Sequence, residues 1–111
     1  MKNDRMYIEH VLHCIARVER YTSGGKEEFL GNEMVQDAAI RNLQILAEST
    51  RRISGDLKKS HPEVPWRAIA GFRNVAAHDY LALNLKRIWK IISHDLPELK
   101  KQMEYIARDA G

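Results

Sequence analysis

The chain has 111 residues, enough for one domain, and 44% hydrophobic content is sufficient for a core, although a chain this short buries a smaller share of its surface than a larger one. Its 18 basic and 15 acidic residues leave a formal charge of +3, which permits a phosphate-bearing partner and falls far short of a histone-like coat for DNA. Cys14 is the only cysteine, which excludes an internal disulfide and a pairwise cysteine metal site and suits a reducing cytoplasm.

The charge is unevenly spread. Residues 1–50 carry 6 Lys+Arg against 8 Asp+Glu, while residues 51–111 carry 12 against 7, so the second half is net +5. Nothing at the N-terminus reads as a signal peptide, and no apolar run approaches the roughly 20 residues that span a bilayer. The expectation is a soluble cytoplasmic protein.

From Asn3 or Asp4 to about Thr22, apolar residues recur at Ile8, Val11, Leu12, Ile15 and Val18, the spacing of one helix face, before Ser23-Gly24-Gly25 stops it. A short piece containing Phe29 and Leu30 follows. From about Asn32 to Leu57, Val35, Ala39, Leu43, Leu46, Ile53 and Leu57 form one stripe, with Asp37, Arg41, Gln44, Glu48 and Arg52 largely off it, which predicts a long second helix weakened at Ser54-Gly55-Asp56. Ser60-His61-Pro62-Glu63-Val64-Pro65 is the one real linker, because two prolines forbid a continuous helix. Pro65 suits the first turn of a third helix carrying Trp66, Ile69, Phe72 and Ala76. Asn84 can cap a fourth, with Leu85, Ile88, Trp89 and Ile92 inward, and Asp95-Leu96-Pro97-Glu98 reads as a cap opening a fifth, with Leu99, Met103 and Ile106. No stretch alternates with period two. The prediction is a single all-α domain over residues 1–111, an antiparallel bundle of about five helices.

Residues 72–80 read Phe-Arg-Asn-Val-Ala-Ala-His-Asp-Tyr, placing a guanidinium, an amide, an imidazole and a phenol close together in sequence. Val75, Ala76 and Ala77 between them are small, which lets a phosphate approach closely. On a regular helix Asn74 and His78 are i and i+4, so the amide can orient the imidazole. Arg73 and His78 lie about 140° apart with Cα atoms on the order of 9 Å from each other. Either the length of arginine closes that gap around a shared phosphate, or the helix ends or distorts near His78.

RNA cleavage explains how such a set can suffice without a metal or cofactor. The ribose 2′-hydroxyl is a built-in nucleophile that needs a base, an acid and a cation for the developing phosphorane charge. His78 moves protons near neutral pH, and Arg73 holds two phosphate oxygens while staying charged. One histidine per chain must serve as both base and acid unless a second copy supplies another, which favours a two-fold homodimer with both motifs facing one cleft.

Arg73, four residues, His78, Asp79, Tyr80 resembles the signature of the HepT branch of the HEPN superfamily: Arg, four to six residues, His, one residue, Tyr. Val64-Pro65-Trp66-Arg67-Ala68-Ile69 before it and Asp95-Leu96-Pro97-Glu98-Leu99 after it are similar to the same family. Val35-Gln36-Asp37-Ala38 and Leu43-Gln44-Ile45-Leu46-Ala47-Glu48 extend the likeness over roughly residues 5–103. Ala47 departs from the usual Gly before the family's Glu, a difference that bears on helix packing. The resemblance implies a metal-independent ribonuclease acting as a dimeric toxin, with Arg73 and His78 as the catalytic pair and Asn74 as the polar residue beside the Arg. It also implies an MntA-type minimal nucleotidyltransferase as antitoxin, which uses ATP and magnesium to add AMP to the motif tyrosine, here Tyr80. An adenylate there would put a bulky anion beside His78 and repel an incoming RNA phosphate.

Other residues have plainer readings. Glu48 interrupts the aliphatic run of the second helix and is a candidate brace for Arg73, with a solvated surface glutamate as the ordinary alternative; Asp79 is a second supporting candidate. Trp66 and Trp89 can stack bases, yet their helical spacing among aliphatic residues favours core packing. His10, His13 and Cys14 lack a further partner at metal-ligand spacing. Lys86, Arg87 and Lys90 are either an RNA-steering patch or a solvated helix face. The alternative to an enzyme is a non-catalytic bundle that docks a nucleotidyltransferase and helps present its substrate.

Overall fold

In the computed structural model, which describes residues 3–74 and 84–110, every regular element is helical. Helix α1 (Asp4–Tyr21) buries Ile8, Val11, Ile15 and Val18 completely, as their spacing predicts. The chain then turns through Gly25, whose φ of 92° lies in the left-handed region that a side chain disfavours. The short piece containing Phe29 and Leu30 is helical: Lys26–Gly31 forms α2, buried through Phe29. Asn32 accepts the Val35 N–H and opens α3 (Glu33–Arg51). The Gln36 side chain donates to the carbonyls of Phe29 at 2.8 Å and Leu30 at 3.2 Å, satisfying the end of α2 that a six-residue helix leaves open.

The long second helix predicted to reach Leu57 is broken. Helix α3 stops at Arg51, and a separate α4 (Gly55–Ser60) begins after Ser54, which has the extended backbone of an N-cap. A clasp from α1 holds the break. Asp4 accepts the Ser54 N–H at 2.8 Å and its hydroxyl at 2.6 Å, while that hydroxyl also accepts the Leu57 N–H at 3.2 Å. A helical Ser54 would forfeit this cap. Because Asp4 starts α1 and Ser54 follows the end of α3, the clasp also records that the two helices run antiparallel.

The Pro62/Pro65 linker is non-helical as expected and leads into α5 (Trp66–Ala70), anchored by Trp66 Nε1 donating to the His61 carbonyl at 2.9 Å. Ile69 and Phe72 are buried as α5 packs on α3. Beyond residue 84, Asn84 caps α6 (Leu85–Lys90) by accepting the Arg87 N–H. The predicted cap at Asp95 does not form. The chain instead stays helical through a π-helical turn (Ile91–Asp95) into α7 (Leu96–Ala110). Pro97 explains the difference: it has no N–H for the carbonyl four residues back, and its ring crowds that carbonyl, so a widened turn ahead of it absorbs the defect without ending the helix.

Helix α1 packs against α3 on one side and α7 on the other, closing the all-α bundle. Lys100 meets Glu19 at 3.2 Å, setting the start of α7 beside the end of α1. Leu43, Leu46, Ile88, Leu96, Met103 and Ile106 fill the centre. Trp89 packs its ring on Phe29, centroids 5.4 Å apart. Among the described residues no helix is long and apolar enough to cross a membrane.

Candidate functional site

Residues 72–74 continue helically after α5, and the burial of Phe72 against the core turns its neighbours outward. Arg73 is exposed, with 64% of its side chain accessible, and its Nη1 lies 3.7 Å from Glu48 Oε2 on α3. Glu48, which the sequence offered as a candidate brace, thus stands within ion-pair distance of Arg73. It is shared, since Glu48 Oε1 also accepts from Arg51 at 3.1 Å and lies 3.5 Å from Arg52 Nε. The Arg51 hydrogen bond, helped by the charges of Arg51, Arg52 and Arg73, holds Glu48 below the ordinary glutamate value against partial desolvation.

Asn74 is exposed beside Arg73, its N–H donating to the Gly71 carbonyl at 3.0 Å. Together Arg73, Asn74 and Glu48 line one end of a cleft of about 610 Å³ whose other wall residues belong to α3. A long 3.7 Å contact at an exposed site leaves the guanidinium fork available to a phosphate. The remaining motif residues predicted from sequence, His78, Asp79 and Tyr80, lie outside the described residues.

A second cleft of about 610 Å³ is lined by Gly71 and Phe72 together with Arg87 and Lys90 of α6. Two of the three basic residues singled out on that helix thus border the chain just before Arg73. Trp66 is partly buried with Lys58 Nζ 5.9 Å from its ring centre, and Trp89 is against Phe29, so both indoles act as core-edge residues. His10 and His13 are exposed whereas Cys14 is buried, where desolvation raises its thiol pKa. Among the described residues no three His, Cys, Asp or Glu side chains are grouped to hold a metal ion.

Sequence reasoning did not single out Arg41, Gln44, Ile45 and Ser49, which line the rest of the first cleft. In sequence they read only as positions off the aliphatic stripe of α3, with nothing to place a second wall across from them.

The family model described as "Ribonuclease HepT-like" matches residues 11–106. The chain is 35% identical over 107 residues to a "Putative RNase" of Caldanaerobacter subterraneus subsp. tengcongensis, covering 96% of each chain. It is 32% identical over 108 residues to a "Probable ribonuclease HepT" of Thermococcus cleftensis, covering 96% of this chain and 98% of that one. A "Putative RNase" of Methanocaldococcus jannaschii is 38% identical over 79 residues, 71% of this chain and 72% of the relative. No solved structure matches at a significant level.

Proposed function

The chain belongs to the HepT-like family of ribonucleases, and from that premise we propose that it is a metal-independent RNA endonuclease and the toxin of a toxin–antitoxin pair. The observation that carries the proposal is the exposed Arg73 guanidinium at the cleft mouth, steadied but not consumed by Glu48. Arg73 binds the scissile phosphate and stabilises the charge that grows on its oxygens. His78 removes the 2′-hydroxyl proton, the 2′-oxygen attacks phosphorus, the P–O5′ bond breaks, and the leaving 5′-oxygen takes a proton. The products are a 2′,3′-cyclic phosphate and a 5′-hydroxyl. Asn74 positions the phosphate or imidazole, and Asp79 is a supporting residue.

Two copies facing one cleft would supply one imidazole as base and one as acid. Neutralisation falls to an MntA-like nucleotidyltransferase that transfers AMP from ATP to the Tyr80 hydroxyl, releasing pyrophosphate and leaving an anion at the site of RNA entry.

Expression without the partner is expected to arrest growth, relieved by His78→Ala, with RNA cleavage reduced about 10²- to 10⁴-fold. Intact-mass measurement after incubation with the partner and ATP is expected to show adenylate on the wild type and none on Tyr80→Phe. A fully active His78→Ala protein removes the enzyme reading in favour of the non-catalytic docking subunit.

A further inference from the structure

The cleft beside Arg73 extends well past the groups that the proposed chemistry uses. Arg41, Gln44, Ile45 and Glu48 follow one another at three, four and seven positions, so they share one face of α3, and all four line the cleft. Arg41 stands seven residues before Glu48, on the order of 10 Å along the helix axis. Glu48 is the side chain that Arg73 approaches at 3.7 Å. Two guanidinium groups therefore line the cleft at separate points along α3, far enough apart to hold different phosphates of one strand.

Arg41 is exposed and takes part in none of the ion pairs formed among the described residues, and the Glu48 carboxylate is already engaged by Arg51, Arg52 and Arg73. Between Arg41 and Glu48 the α3 wall offers the amide of Gln44 and the aliphatic side chain of Ile45. Cations suit phosphates; an amide suits base edges, and an aliphatic surface suits a ribose or base face. The alternation of these groups matches phosphate, base, phosphate along a single splayed strand.

Building on the ribonuclease reading, we infer that this face of α3 is a second RNA subsite, in which Arg41 grips a phosphate beyond the scissile one and Gln44 contacts a base between them. Arg41 is a positioning residue for the substrate strand and has no part in bond cleavage.

The test is fluorescence anisotropy with a fluorescein-labelled single-stranded RNA carrying 2′-O-methyl groups throughout, which lacks the nucleophile and so is bound without being cut. Arg41→Ala is expected to weaken binding about tenfold and to lower the slope of log affinity against log salt by about 0.7, one phosphate contact on a single strand. Arg41→Lys keeps the slope, Gln44→Ala weakens binding without changing it, and Lys101→Ala on α7 changes neither. Wild-type affinity and slope in Arg41→Ala, an equal loss in Lys101→Ala, or a wild type that does not bind the strand overturns the inference. Cleavage is assayed separately on unmodified RNA: a wild type that binds in this pattern yet cuts nothing fails the ribonuclease reading and leaves the subsite standing.

Discussion

Along α3, the side turned toward α1 and the side turned toward Arg73 are built from different chemistry. Leu43 and Leu46 are fully buried, and Thr50 spends its hydroxyl on the Leu46 carbonyl at 2.9 Å. Arg41 and Gln44 lie at the surface or partly so, and Glu48 gathers three arginines in contacts of 3.1 to 3.7 Å. The first side stabilises the bundle by removing apolar surface from water. The second contributes little to stability, because exposed ion pairs are solvent-screened, and its charges remain available to a ligand. On the inference drawn above, one helix carries a stability face and an RNA-facing one, and substitutions on the two should separate cleanly.

The sharpest separation is expected from Leu43→Ala. Truncating a fully buried leucine should lower folding stability by about 2–5 kcal/mol, read by urea denaturation, while the protein that remains folded keeps its RNA affinity. Arg73→Ala should do the reverse, cutting cleavage by about 10²- to 10³-fold with stability within about 0.5 kcal/mol of wild type. Parallel loss of stability and activity in Arg73→Ala would erase the distinction between the faces.

Ser54→Ala tests the end of the stability face. It removes the α4 cap and the 2.6 Å hydroxyl contact with Asp4, and about 1 kcal/mol should be lost in thermal unfolding. Glu48→Gln should have the smallest effect. Its lowered pKa means that Glu48 stays charged in the folded chain to a lower pH than in the unfolded one. Its contribution is therefore fully present above the ordinary glutamate range and lost as pH falls through the folded value. The wild type should show this acid-side loss in a stability-against-pH profile and Glu48→Gln should not.

Much of the fold was legible because its longest helices bury regular apolar stripes. Ile8, Val11, Ile15 and Val18 in α1 and Leu99, Met103 and Ile106 in α7 occupy the core positions that their spacing predicts. The departures arise where a distant partner or a local defect decides. The break at Ser54 depends on Asp4, fifty residues away, and helix periodicity does not register such a clasp. The π-helical turn before Pro97 is a compromise between an imino acid and continuous burial of Ile91, Ile92 and Leu96; the sequence alone favoured the simpler choice of a helix end.

At the site, Arg73 was legible from its motif and Glu48 from its place in an aliphatic run. Arg41 and Gln44 were not, since a polar helix position becomes part of a cleft only when another element stands across from it. The packing of α5 on α3 supplies that wall.

The most direct measurement is cleavage of a defined RNA by the purified protein in excess chelator, with one ribose at the cut linkage changed to 2′-deoxyribose. The account predicts that cutting at that linkage stops, that unmodified linkages yield 2′,3′-cyclic phosphate and 5′-hydroxyl ends, and that Arg73→Ala and His78→Ala each suppress the reaction. Continued cutting at the deoxyribose linkage, or cutting abolished by the chelator, would contradict it.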